Sequence, residues 1–547
     1  MKKSYNFIII LLLVLFSANS FAQIAEDAEA SSGNRNKPEK LEWLKDAGFG
    51  MFIHFGMDSQ LGVVISHSLV GASDDYKNRF FNELPKTFNP SEFDAYKIAT
   101  LAKLAGMKYI VFTTKHHSGF CMWNTKTTDF NIMNTPYGKD LLKEYVEGVR
   151  KAGLKVGLYY SPEDFLFMEK HGMEIRRKKQ VFTDEQKAAF DDYVTRQCTE
   201  LMTNYGPIDV MFIDGKPKDV AKKVFWDLQP DLLITRGAIS TPEQKLSSVA
   251  SDKPWESCVT LGTQWQYKPY DDELKTPGQV IKMLIEVRSK GGSLLMNLGP
   301  RPDGSMSITE EDYLRNIAAW YFVNHEAVDS VRPWIVTNED NIWFSKKKDK
   351  NTVYAYITDM PNWKRGSRKS FVIGSVEATR DTKISVLGHN GRVSEYQPDN
   401  DPTPRFEQTE NGLKISVERA QRMYNNAKWP NPIVVKLENV KPSCVPPVVK
   451  TVDVKEVNGE MIVTGKLVDN GGSNNLMAGV EYKEDAGFVE DLYHTEWGRT
   501  DFIPVNKEGN FEIKVPGLAK GASYQFKAIV KHPKLVVKGE MISSYYK

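Results

Sequence analysis

From Leu41 to about Val336, short unbroken apolar runs alternate with segments whose apolar residues recur at helical spacing, and few folds accept that pattern. GFGMFIHFG (Gly48–Gly56), KYIVFTTK (Lys108–Lys115), KVGLYYS (Lys155–Ser161), DVMFID (Asp209–Asp214), LLITR (Leu232–Arg236) and SLLMNLG (Ser293–Gly299) read as strands. Between them, Pro90–Ala105, Lys139–Ala152, Asp184–Asn204, Lys222–Leu228, Thr276–Lys290 and Thr309–Val323 read as helices. The last of these has a capping-box-like start at Thr309 and Asp312. Strands without polar alternation are buried on both faces, so a parallel sheet covered by helices is predicted. Seven or so such units over about 300 residues fit a (β/α)8-like barrel. A doubly wound sheet is the alternative, but no GxGxxG follows the first strand.

The flanks differ in kind. Met1–Ala22 has a basic start, an apolar run from Phe7 to Phe16 and the small-x-small end Ser20-Phe21-Ala22, which together predict a cleavable secretory signal peptide. No Cys follows the cleavage site, so no lipid anchor is expected, and the chain is expected to be periplasmic or secreted. Residues 23–40 read as a flexible leader, 41–336 as the barrel and 337–441 as a β-sandwich of short alternating strands. SCVPP (Ser443–Pro447) is a Pro-rich linker, and 446–547 read as a fibronectin- or immunoglobulin-like accessory domain. The fold class is therefore α/β, a (β/α)8-like barrel followed by C-terminal β-sandwich domains. Removing the two leader lysines leaves 70 basic and 70 acidic residues, so neither nucleic acid nor an anionic membrane is expected as partner. Cys121, Cys198, Cys258 and Cys444 form no CxxC and are expected to be free thiols.

Polar residues follow five successive strands: His54, His116 with His117, Tyr159 with Tyr160, Asp214, and Arg236. In a barrel these ends converge on the face that carries active sites. Glu243 in TPEQ and Glu256 in PWES add two acids after the fifth strand. The histidine pair invites a metal reading, but no HxH, HExxH or DxH spacing supports it, and neither metal nor cofactor is predicted. Histidine, tyrosine, tryptophan and arginine together suit a polyol, offering donors and acceptors to hydroxyls and an aromatic face to a sugar ring. There is no GxSxG for a nucleophilic serine, and Cys121 within FCMW reads as packing.

GFGMFIHFG, FTTKHHSGFCMWNTKTTDFN, GLYYSPEDF, FIDG, TPEQ, PWESCVTLGTQWQY and SKGGSLLMNLGPRPDG, taken together over residues 40–335, resemble glycoside hydrolase family 29, the α-L-fucosidases. The resemblance implies a retaining exo-α-L-fucosidase working on terminal fucosyl residues of glycans. It implies Asp214 as nucleophile and Glu243 or Glu256 as acid/base. It also implies His54, His116, His117, Tyr159 or Tyr160, and Arg236 as the fucose pocket, with Trp123 against it. A retaining glycosidase needs one carboxylate kept ionised and one carboxyl able to give and take a proton, about 5–5.5 Å apart. Two departures bear on the rim. Position 118 is Ser within KHHSGF, and SHSLVGASDDYKNRF stands where many members carry an acid and an aromatic, leaving His67, Asp74, Asp75 or Tyr76 as substitutes. A hydrolase for another deoxy or galacto-configured sugar, or an inactive carbohydrate-binding protein, are the alternatives.

Overall fold

The computed structural model describes residues 33–547 apart from 177–180, 271, 360–362, 365, 395–398, 420–430, 486–496 and 506. The predicted signal peptide lies outside the described residues. Among them, no helix is long and apolar enough to cross a membrane.

Seven parallel strands form one curled sheet: β1 (Phe49–Ile53), β2 (Tyr109–Lys115), β3 (Lys155–Tyr160), β4 (Val210–Ile213), β5 (Leu233–Ile234), β6 (Glu256–Thr260) and β7 (Ser293–Leu298). Their spatial order is β5-β4-β3-β2-β1-β7-β6, with β1 paired to β2 on one side and β7 on the other. Every residue of these strands except Lys155 is buried, as expected of a sheet covered on both faces. The barrel is imperfect. Between β5 and β6 the place of a further strand is taken by Ser240–Gln244, which runs alongside β6 through Glu256 N to Ser240 O, Cys258 N to Pro242 O and Gln244 N to Cys258 O.

The helices start and stop where their caps dictate. Thr276 and Gln279 form a capping box with Pro277 in the first turn, and Gly153 ends Leu141–Ala152 in the left-handed conformation at φ 78°. The capping box expected at Thr309 and Asp312 is instead Ser307 with Glu310. Ser307 is the last residue with extended φ/ψ, so its hydroxyl meets the Glu310 N–H, and Thr309 already lies inside the helix Ile308–Asn324. The leader expected to be flexible is tied down from Asn34 onward. The Asn36 amide pairs with both the N–H and the C=O of Ile234, covering the open edge of β5, and the Asn34 amide donates to Ala238 O. A helix follows from Pro38 to Ala47.

After the barrel the sheets of the described residues are antiparallel. A five-stranded and a three-stranded sheet span Val331 to Pro442, and two more span Val448 to Tyr546. The first of these strands, Val331–Glu339, crosses the boundary expected at 336. Pro333 does not end this strand, because it sits on the edge of its sheet next to a bulge, where a missing N–H is tolerated. Buried side chains from both C-terminal units form one contiguous apolar cluster. All four cysteines are free thiols, three of them buried.

Candidate active site

The C-terminal ends of the strands converge on a pocket of about 150 Å³. It is lined by Phe52, His54, His67, His116, His117, Tyr159, Phe212, Asp214, Arg236, Glu243, Cys258 and Trp265.

Each wall follows from a strand end. His54 leaves β1, and its Nδ1 meets Asn297 Oδ1 at 2.6 Å. The Asn297 amide donates to Trp265 O, so its Oδ1 is an acceptor, the imidazole donates from Nδ1, and Nε2 is left as an acceptor. Burial pushes the His54 pKa down to about 3, which keeps the ring neutral. Adjacent residues on a strand point to opposite faces, but β2 stops at Lys115, and this lets both His116 and His117 line one pocket. Their Nδ1 atoms are held by Ser66 Oγ at 2.9 Å and Ser161 Oγ at 2.7 Å. Ser66 takes a left-handed φ of 57° to reach His116, and its hydroxyl also accepts the Ser118 N–H. The His116 ring stacks on Tyr159 at 5.4 Å and 4°.

Asp214 follows β4. Tyr159 donates to its Oδ2 at 3.0 Å, Arg236 Nη1 lies 3.2 Å from Oδ1, and His117 Nε2 lies 3.7 Å from Oδ2. Burial works to raise the Asp214 pKa, but the Arg236 cation, His117 and the Tyr159 hydroxyl outweigh it and hold the carboxyl well below its usual range. The Arg236 guanidinium lies over the Phe212 ring, and its Nη2 meets Glu243 Oε2 at 2.8 Å. Glu243 reaches the pocket because Ser240–Gln244 runs as a strand-like segment beside β6; its side chain is 39% exposed.

Three expected site residues lie elsewhere. Tyr160 points to the opposite side of β3 from Tyr159 and donates to Gln197. Trp123 is fully buried and donates to Glu200, because FCMW folds back beside β2 through Met122 N to Thr114 O. Glu256 is fully buried at the start of β6, away from the pocket mouth. Among the rim candidates, His67 lines the pocket, whereas Asp74 and Asp75 are exposed at the start of the helix Asp74–Asn82 and pair with Lys77 and Arg79. Phe52, Phe212, Cys258 and Trp265 were not singled out from the sequence. Phe52 and Phe212 stand two residues before His54 and Asp214, the period of one strand face, and that spacing is a signal that would have found them.

His116, His117 and Asp214 bring ligand atoms within 4.8 Å of one another, close enough for a cation. The Arg236 guanidinium already lies against Asp214, however, and a second positive charge there is opposed. The set suits a neutral, hydroxyl-rich ligand: imidazole and phenol groups for hydroxyls, Trp265 and Phe52 for an apolar face, and two carboxylates for chemistry.

A (β/α)8-like barrel with paired carboxylates at its C-terminal face is an arrangement that a glycoside hydrolase can use. A family profile described as Alpha-L-fucosidase matches residues 15–326, and the chain belongs to that family, glycoside hydrolase family 29. It is 28% identical over 393 residues to the plasma α-L-fucosidase of Rattus norvegicus, covering 63% of this chain and 83% of that protein. It is 27% identical over 392 residues to the plasma α-L-fucosidase of Homo sapiens, covering 63% and 81%. Among solved structures it resembles α-L-fucosidase isoenzyme 1 of Paenibacillus thiaminolyticus, with a TM-score of 0.58 and 27% identity over 74% of this chain and 99% of that one. An α-L-fucosidase of Bacteroides thetaiotaomicron shares the fold, with a TM-score of 0.58 and 23% identity over 75% and 98%. The family membership supports fucosidase activity on fucosylated glycans.

Proposed function

We propose that the chain is a retaining, exo-acting α-L-fucosidase with Asp214 as nucleophile and Glu243 as acid/base. The observation that carries this reading is that one guanidinium, that of Arg236, contacts both carboxylates inside the pocket. Two carboxyls so held are consistent with the ~5–5.5 Å separation of retaining enzymes. Asp214 is kept ionised, as a nucleophile must be. Glu243 is more exposed and sits on the segment that replaces a barrel strand, within reach of a leaving group and then of water. The pocket volume of about 150 Å³ favours one sugar ring, against ~300–1,000 Å³ for sites that take larger ligands. That supports release of a terminal residue.

In the first step Asp214 attacks the anomeric carbon while Glu243 protonates the departing oxygen. In the second, Glu243 takes a proton from water as it attacks the fucosyl ester and frees Asp214. Tyr159 and Arg236 release and regain the Asp214 charge they stabilise. The neutral His54, with His116 and His117, is suited to the ring hydroxyls. The basic, apolar and small-residue pattern of 1–22 supports export, which N-terminal sequencing of the mature protein tests by a start at Gln23.

The Bacteroides enzyme has been trapped as a covalent intermediate with 2-fluoro-fucosyl fluoride. The same reagent tests the present reading. Incubation, digestion and mass spectrometry should find the fluorofucosyl group on the peptide containing Asp214. A label on another residue, or none while the reagent is consumed, would overturn the assignment.

A further inference from the structure

Lys115 and Asp164 form an ion pair with Nζ to Oδ2 at 3.1 Å, and their side chains are only 0% and 1% exposed. Such a pair is a poor source of stability, because desolvating two charges costs about as much as their attraction returns, and an apolar pair of similar volume does as well. Its position suggests another role. Lys115 is the last residue of β2, directly before His116 and His117. Asp164 belongs to the turn after β3, and it uses both oxygens there: Oδ1 accepts the Phe167 N–H at 2.8 Å and Oδ2 also accepts the Tyr193 hydroxyl at 3.0 Å.

That turn is what holds His117. Ser161 Oγ meets His117 Nδ1 at 2.7 Å, a Glu163 oxygen lies 3.4 Å from the same atom, and the Phe165 N–H donates to His117 O at 2.7 Å. The far nitrogen of the ring then faces Asp214 at 3.7 Å. We propose that the buried Lys115–Asp164 pair is a positioning device for the reaction, locking the end of β2 to the 161–165 turn so that His117 is held against Asp214. Gly119 fits the same account, since a Cβ there would come within 2.4 Å of the Asp164 carboxylate. The inference rests on the reading of Asp214 as nucleophile.

The test is a double-mutant cycle between the pair and His117. Lys115→Met combined with Asp164→Leu removes both charges and keeps the volume apolar, so no unpaired charge is left in the interior. Lys115→Met combined with Asp164→Asn, which also removes both charges and keeps the shape and the Phe167 contact, is the second variant, and the cycle is read in whichever melts within a few degrees of wild type. The expected result is a modest loss of stability from the missing Phe167 and Tyr193 contacts, with kcat/KM on an aryl α-L-fucoside lowered on the order of 10²-fold, the scale of a misplaced site group. In a His117→Ala background the same change should cost less than about 3-fold, because the group being positioned is gone. A wild-type kcat/KM in the stable variant, or an equal loss with and without His117, overturns the proposal. Failure of the underlying reading shows separately, as turnover retained in Asp214→Gly.

Discussion

Glu256 and Tyr109 meet at the floor of the barrel, where the tyrosine hydroxyl donates to the glutamate carboxyl and neither side chain reaches solvent. Tyr109 begins β2, Glu256 begins β6, and the register partner of Glu256 is Ser293, which begins β7. All three stand at the N-terminal ends of their strands, opposite the face where the pocket opens. A carboxyl there has no path to a glycosidic oxygen. Burial raises its pKa to about 7.

This gives a pH signature. The folded pKa of Glu256 is about 7 against a usual value near 4.5, so the native state holds the proton more tightly than the unfolded chain. Stability from this group is complete below pH 4.5 and falls as pH rises to 7, by on the order of 3 kcal/mol. Glu256→Gln cannot ionise and should flatten that slope. Denaturant melts of both proteins between pH 5 and 8 should therefore diverge, with the variant gaining on wild type as pH rises, while kcat on an aryl fucoside stays within a few-fold. A variant that loses catalysis in the manner of Glu243→Ala would reverse the two roles.

Glu243→Ala should be selective for the leaving group. A good leaving group needs little protonation, so an activated aryl fucoside should retain far more activity than a natural disaccharide. Added azide should raise turnover and give α-fucosyl azide, since it attacks the β-linked intermediate without needing a base. Equal losses on both substrates would count against the assignment.

Asp214→Gly should lose turnover on the order of 10³-fold or more, with an unchanged melting curve. Azide should occupy the vacated space and restore part of the rate, giving β-fucosyl azide from an α-fucoside. Near-normal activity without azide sinks the nucleophile.

The last β unit should not be dispensable. A Cβ on Gly374 of the sandwich would come within 1.8 Å of the Lys534 carbonyl oxygen, so the two units touch backbone to backbone. The Met541 N–H also donates to Ser248 Oγ on the barrel. Gly374→Ala should lower stability on the order of 1–3 kcal/mol through overpacking, read as a lower melting temperature with near-normal kcat below it. Deleting 446–547 should reduce the yield of soluble protein. An unchanged melting temperature in Gly374→Ala would mean that the units part easily.

The sequence made the catalytic face legible because each apolar strand ends on a polar residue, as His54, His116, Asp214 and Arg236 do. It could not separate Tyr159 from Tyr160, since neighbours on a strand differ only in which face they occupy, and that depends on register against β2 and β4. Trp123 was misplaced because nothing local shows that FCMW doubles back beside β2. Glu243 and Glu256 looked equivalent because a segment that imitates a strand through hydrogen bonds to β6 leaves no strand-like pattern of its own. The boundary at 336 fell inside a strand that contains Pro333, because an edge position tolerates what a central one forbids.

The strand order carries a cost in biosynthesis. β2 to β5 extend the sheet from β1 in one direction as they are made, but the other flank of β1 belongs to β7, whose residues begin at Ser293. Until then Phe-Gly-Met-Phe-Ile offers an unpaired ladder of N–H and C=O groups, entirely apolar and ready to recruit a strand from any other chain. A chain truncated before Ser293 keeps β1 without its β7 partner, and such a fragment is expected to aggregate more readily than the full chain.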